Sequence, residues 1–253
     1  MPAPDVSFFS GRDGVRLAYR ELGDGRPLVL LHGVTGDARL WLSPGQAQTL
    51  AARGHRVILP DFRGHGMSDR PHDAAAYPPD VLADDGFALV EHLGLADYDL
   101  GGYSLGARIV VRMLVRGAAP RRAVVAGQGL REVLGTGGGA GAFLRRLFDG
   151  TEEFAPGSRE QLAAEAMLAR GEDPVALLHV LDSIVATPLE PLHGIGVPTL
   201  VAVGTEDERA ATAGELAGAM AHGTMVSVPG DHRSAPVTPE FVAAIADFLA
   251  AGA

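Results

Sequence analysis

The stretch Asp99-Leu100-Gly101-Gly102-Tyr103-Ser104-Leu105-Gly106-Ala107-Arg108 decides how the other residues of this 253-residue chain are read. Residues 98–100 have the character of a short buried strand. Beyond the serine, Ile109, Val110, Met113 and Leu114 recur at helical spacing, so the apolar period changes from strand to helix across Ser104. A serine at such a junction stands on a sharp turn with unfavourable dihedrals. Gly102 and Gly106, two residues to either side, lack the β-carbons that would collide there. The turn presents Oγ outward, and the start of the following helix favours negative charge beside it. A glycine-flanked turn whose serine only caps a helix would show the same five residues; the strand–turn–helix context is what points to a nucleophile.

Working outward, Leu28-Val29-Leu30-Leu31 is a continuous apolar run, the mark of a strand covered on both faces, and it ends in the loop His32-Gly33-Val34-Thr35-Gly36-Asp37. A helix at 46–53, a strand at 56–59, a turn-rich loop at 61–71 and a helix at 79–93 lead to the serine turn. Residues 6–9 and 15–21 read as a hairpin-like start, and 123–126 as a further buried strand. From Gly129 to about Leu192 no strand-like run occurs. That region holds a glycine-rich segment at 135–141 and three apolar patches: Phe143, Leu144, Leu147 and Phe148; Leu162, Ala166, Met167 and Leu168; Val175, Leu178, Leu181 and Val185. Strand character returns at 198–203, then a helix at 209–221, a strand at 224–228 and a closing helix at 238–250 with Pro239 in its first turn. Strands alternating with helices imply an α/β fold around a mostly parallel sheet. The expected division is a core of 1–128 and 191–253, with a small helical cap or lid of 129–190 inserted after the sixth strand.

Composition narrows the function. The net charge is −10, which argues against nucleic acid or an anionic membrane as partner. There is no cysteine, so disulfides, thiolate metal sites and cysteine nucleophiles are excluded. Lysine is absent as well, which excludes a Schiff-base or phosphate-loop lysine. No apolar run reaches membrane-spanning length, and Met1-Pro2-Ala3-Pro4-Asp5 lacks the features of a signal peptide, so a cytoplasmic protein is expected.

A serine hydroxyl needs a base, and the base needs a carboxylate to fix its tautomer. Parallel strands deliver their loops to one sheet edge. Gly204-Thr205-Glu206-Asp207 and Pro229-Gly230-Asp231-His232 each follow a strand on that edge, and Ser, Asp and His then occur in the chain order of one well-known fold. Glu206 is the alternative acid. Asp231, adjacent to His232, reads as loop structure. With Leu31-His32-Gly33, Asp61-x-Arg63-Gly64-x-Gly66-x-Ser68, Gly102-Tyr103-Ser104-Leu105-Gly106, Gly204-x-x-Asp207 and Gly230-x-His232 in order, the chain resembles the α/β-hydrolase superfamily along nearly its whole length.

The resemblance implies an eight-stranded sheet, with Ser104 as nucleophile, His232 as base and Asp207 as orienting acid. Some relatives carry the acid after the strand preceding the cap; here that position reads Gly127-Gln128-Gly129, without a carboxylate. The backbone N–H of Leu105 is one expected oxyanion donor, and the resemblance implies that of Val34 as the other. His32 is expected to hydrogen-bond loop backbone, the 61–71 loop to hold the site's architecture, and His65, without a partner cluster, to bind no metal. Phe143, Leu147, Leu178 and Leu181 are expected to wall an apolar acyl pocket. The expected activity is cofactor-independent and metal-independent hydrolysis of a small carboxylic ester, lactone or thioester. Alternatives are a lyase or carbon–carbon hydrolase (a lyase of menaquinone biosynthesis has a similar Gly-Tyr-Ser-Leu-Gly turn), a small-molecule receptor, or a perhydrolase. Ser104, where haloalkane dehalogenases and epoxide hydrolases use aspartate, argues against those two.

Overall fold

The structure, a computed structural model, describes residues 4–43, 45–137 and 139–251. Residues 1–3 of the leader reading and Gly138 of the glycine-rich segment lie outside the described residues. Eight strands, β1 (Val6–Ser10), β2 (Arg16–Leu22), β3 (Arg26–Leu31), β4 (His55–Pro60), β5 (Asp99–Tyr103), β6 (Ala123–Ala126), β7 (Thr199–Gly204) and β8 (Gly223–Val228), form one sheet in the order β1-β2-β4-β3-β5-β6-β7-β8. The β1/β2 and β2/β4 pairs are antiparallel; every pair from β4/β3 onward is parallel. The eight-stranded, mostly parallel α/β sheet read from the sequence is what the chain forms.

The helices are α1 (Arg39–Leu42), α2 (Gln46–Ala52), α3 (Val81–His92), α4 (Leu105–Val115), α5 (Leu130–Val133), α6 (Gly139–Phe148), α7 (Arg159–Ala169), α8 (Pro174–Ser183), α9 (Leu189–His193), α10 (Ala210–Gly218) and α11 (Pro239–Ala250). Alternate residues of a strand face opposite sides, and both sides of this sheet are covered. Val29, Leu31, Leu100, Val125 and Val201 pack with residues of α3, α4 and α10. Leu28, Leu30, Val57, Val124 and Leu200 pack on the other side with residues of α2 and α11 and with Trp41. That two-sided burial is why these strands read as unbroken apolar runs.

Five helices, α5 to α9, separate β6 from β7. Leu144, Leu147, Met167 and Leu177 form a small core of their own inside this segment. Local signals set the helix starts: Ser158 Oγ accepts the Gln161 N–H, and Asp173 accepts the Ala176 N–H just ahead of Pro174. The three apolar patches are not uniformly buried, and Val175, at the start of α8, is exposed. Of the apolar residues in α7, Met167 is buried, whereas Leu162 and Leu168 are exposed.

The 61–71 loop is anchored from below by Arg63. Its guanidinium is buried and makes a forked pair with Asp85, Nη2 to Oδ1 at 2.6 Å and Nε to Oδ2 at 2.7 Å. Nη1 reaches Asp13 Oδ2 at 2.7 Å, which ties the first hairpin turn to the same point.

Candidate active site

Ser104 sits between β5 and α4 with φ 55° and ψ −114°, one of two non-glycine residues among those described with positive φ. A conformation of this kind costs on the order of 1–3 kcal/mol and persists only where the surroundings over-determine it. They do so here. The Ser104 N–H donates to the Ala126 carbonyl at 2.8 Å, and the Ser104 carbonyl accepts Gln128 Nε2 at 2.7 Å. A β-carbon on Gly102 would overlap the Gly106 backbone, and one on Gly106 would overlap the Leu31 carbonyl. The two glycines therefore let α4 start directly against the ends of β5 and β3.

His232 Nε2 lies 3.0 Å from Ser104 Oγ, and His232 Nδ1 lies 2.6 Å from Asp207 Oδ2. A carboxylate only accepts, so Nδ1 carries the proton and Nε2 presents its lone pair to the serine hydroxyl. The Asp207 side chain is wholly inaccessible. Burial works against its charge, but the hydrogen bond and charge of His232, with the Arg209 contacts, outweigh it and hold the carboxyl below its usual range. Glu206 is exposed, and its backbone N–H bonds the Gly230 carbonyl, so of the two adjacent acids Asp207 is the one at the imidazole. Asp231 Oδ1 instead accepts the Arg233 and Ser234 N–H groups and the Ser234 hydroxyl.

Three residues not singled out for the site by sequence reasoning also hold it. Tyr103, next to the serine, donates its hydroxyl to the His232 carbonyl at 2.8 Å, with ring centroids 5.2 Å apart. Gln128, in the Gly127-Gln128-Gly129 segment, bonds the Ser104 carbonyl. Arg209 donates its backbone N–H and Nη1 to Asp207 Oδ1 at 3.1 and 3.0 Å. Only Arg209, two residues from a candidate acid, gives a readable signal; the other two act across folded distances.

Val34 and Leu105 line the same cleft as Ser104. Among the described residues, neither backbone N–H donates to a protein acceptor, which leaves two donors available beside the serine. The Val34 carbonyl lies 2.8 Å from His65 Nε2, while His65 Nδ1 lies 3.0 Å from the Arg63 carbonyl. His65 thus ties the Val34 loop to the Arg63 loop. His32 accepts the Phe62 N–H at Nε2 (3.0 Å), so its Nδ1 carries a proton and donates to the Gly33 carbonyl at 2.7 Å. Burial first, and the neighbouring His65 second, pull its pKa down to about 4, which keeps it neutral. Among the described residues no three His, Asp or Glu side chains converge as a metal-ligand set. No described helix is long and apolar enough to cross a membrane.

The cleft has a volume of about 430 Å³. Of the four residues expected to wall an acyl pocket, Leu181 lines this cleft and Phe143, Leu147 and Leu178 do not. For Phe143 and Leu147 the reason is the rotation of α6. Its Phe143, Leu144 and Leu147 turn into the core shared with α7 and α8, and Gly141, Ala142 and Arg145 face the cleft instead. Leu181, Ile184 and Ala186 supply the apolar wall; Arg108, Arg145, Arg209, Glu132 and Glu208 supply charge. A larger hollow of about 610 Å³, beside His65 and Met67, does not include Ser104.

A family model described as the alpha/beta hydrolase fold matches residues 26–126. The chain is similar to a non-heme haloperoxidase of Rhodococcus erythropolis, 35% identical over 158 residues that cover 62% of this chain and 56% of that protein. The matched stretch covers less than half of the next curated relatives. Two solved structures are similar over nearly their whole length. The enol-lactonase from Burkholderia xenovorans LB400 is 25% identical with a TM-score of 0.76, covering 96% of this chain and 99% of that one. A bromoperoxidase from Bacillus anthracis is 26% identical with a TM-score of 0.73, covering 97% and 99%.

Proposed function

We propose that this chain, which belongs to the α/β-hydrolase superfamily, is a serine hydrolase that cleaves a small carboxylic ester or lactone through an acyl-enzyme. The observation that carries the reading is the continuous line Ser104 Oγ, His232 Nε2, His232 Nδ1, Asp207 Oδ2, with steps of 3.0 and 2.6 Å. Ser104 Oγ attacks the carbonyl as its proton passes to His232 Nε2. Asp207 holds the ring in the tautomer this requires and stabilises the imidazolium that results. The oxyanion of the tetrahedral intermediate accepts the free N–H groups of Val34 and Leu105. His232 then returns the proton to the leaving alcohol. In the second half, water gives its proton to the same nitrogen as it attacks the acyl carbonyl, and the nitrogen returns that proton to Ser104 Oγ as the acid leaves.

On this reading the core is 1–128 and 191–253, and 129–190 is a cap over Ser104. Leu181, Ile184 and Ala186, beside the serine, would receive the acyl chain. The enol-lactonase, a lactone hydrolase by name, supports the reaction class without fixing the substrate. The test is labelling with a fluorophosphonate followed by peptide mass spectrometry, together with turnover of p-nitrophenyl acetate. An adduct on Ser104 with sustained turnover is the expected result. An adduct on another serine, or undiminished turnover by Ser104→Ala, sinks the assignment; a single burst that stalls points to a receptor.

A further inference from the structure

Arg108 follows Ser104 by four residues, one turn along α4 and on the same face. A helical side chain leans toward the N-terminal end of its helix, which here is the serine. Arg108 lines the cleft with Ser104, and so do Arg145 and Arg209. Those other two guanidiniums are engaged: Arg145 pairs with Asp182 at 2.7 Å, and Arg209 with Asp207 at 3.0 Å. Among the described residues Arg108 has no carboxylate at ion-pair distance and no acceptor for its side-chain N–H groups, and its Nε is buried. Glu132, also in the cleft wall, attracts it through space, but one oxygen of that carboxylate accepts the Gly129 N–H at 3.2 Å.

Burial pulls the Arg108 pKa below the ordinary arginine value, and Glu132 offsets only part of that pull. A guanidinium does not shed its proton in a protein. The charge therefore stays, partly stripped of water and with no carboxylate in direct contact, an arrangement that is unfavourable until an anion completes it.

From this juxtaposition we propose that Arg108 is the anion-binding residue of the cleft, and that the substrate is an ester or lactone whose acyl part carries a carboxylate a few bonds from the scissile carbonyl. The inference rests on the serine-hydrolase reading for the position of that carbonyl. The guanidinium fork matches a carboxylate with two parallel hydrogen bonds. Leu181, Ile184 and Ala186 give the intervening methylenes an apolar wall. The anion would thus hold the far end of the acyl chain while Ser104 meets its carbonyl.

Monomethyl glutarate and dimethyl glutarate share an acyl chain and differ by one charge. Titration of released acid at constant pH should show that the wild-type protein prefers the monoanion by about tenfold or more in kcat/KM, per ester group. Arg108→Gln should lower that preference by about tenfold to a hundredfold, and Arg108→Lys, charged but without the fork, should fall between. A wild-type protein that cleaves the diester at least as well, or a ratio unmoved in Arg108→Gln, overturns the proposal. Calorimetric titration with glutarate separates the two readings. Glutarate binding that Arg108→Gln abolishes, with neither ester cleaved, keeps the anion site and removes the hydrolase reading. Ester cleavage without glutarate binding does the reverse. Binding that Arg108→Gln leaves unchanged, or no binding and no cleavage, removes the site.

Discussion

The Tyr103 hydroxyl donates a 2.8 Å hydrogen bond to the main-chain carbonyl of His232, a residue 129 positions further along the chain. The residue before the serine therefore fixes the backbone that carries the imidazole, and it does so from β5, a strand buried along its whole length. Gly127, with φ 64°, lies against the same ring, where a β-carbon would come within 2.8 Å of it. The phenol is held neutral by burial, with the Asp207 charge adding to the effect, so it remains a donor.

Tyr103→Phe removes that donor and keeps the ring. We expect kcat to fall by about tenfold with KM nearly unchanged, and stability to fall by about 1 kcal/mol. Steady-state kinetics and urea denaturation check this. A KM effect with constant kcat would place Tyr103 in substrate binding instead.

Asp207 and Glu206 are neighbours in sequence with different surroundings. Asp207→Asn keeps the shape but lets the amide donate to Nδ1, which favours the wrong imidazole tautomer; a loss in kcat of roughly 10³–10⁴ is expected by analogy with the serine-protease triad. Glu206→Gln should stay within about threefold. Ser104→Ala and His232→Ala should each cost on the order of 10⁴ or more, and the double variant little beyond either. Additive losses would show that the two side chains do not act as a unit.

The buried His32 makes stability depend on pH. Its folded pKa of about 4 lies below the unfolded value of 6.5, so between the two the unfolded chain binds the extra proton. The contribution is complete above 6.5 and is lost as pH falls toward 4. His32→Gln retains an acceptor for the Phe62 N–H and a donor for the Gly33 carbonyl. Urea denaturation of both proteins from pH 4.5 to 7 should give a shallower slope for the variant; parallel slopes would remove His32 as the cause.

The Arg63–Asp85 pair anchors the 61–71 loop below the site. Arg63→Met leaves the buried Asp85 carboxylate alone and should cost about 3–5 kcal/mol. Arg63→Met with Asp85→Leu should recover most of the loss, because no charge is then left stranded. A double variant no better than the single would point to Asp13 or to packing as the dominant contribution.

Much of the framework is legible in the sequence because two-sided burial leaves a plain mark. Leu28 to Leu31 and Ala123 to Ala126 are unbroken apolar runs, and parallel pairing then sends the loops after β3, β5, β7 and β8 to one edge. Gly102 and Gly106 mark the serine turn because only glycine tolerates the approach of α4 to β5 and β3. The cleft wall is not legible in the same way. Helical period shows that Phe143, Leu144 and Leu147 share a face of α6, but not whether that face meets the serine or the helices beside it. The spacing of Arg108 from Ser104 is visible, yet its lack of a partner depends on where Asp182, Glu132 and Asp207 fall in three dimensions. The Tyr103 bond is a further case, since it joins residues that only the completed sheet brings together.

The two faces of α6 separate tasks that many enclosing helices combine. Gly141 and Ala142 look into the cleft, while Leu144 and Leu147 hold the helix to its neighbours. A β-carbon added at Gly141 would meet only Leu181 Cδ2, at 3.7 Å, an ordinary contact. Size can thus be added on the inner side without disturbing the residues that keep the segment folded. Substrate range and robustness of the fold become independent variables at this helix: a lineage carrying it could narrow or widen what it accepts through residues 141 and 142, while selection on folding acts at 144 and 147.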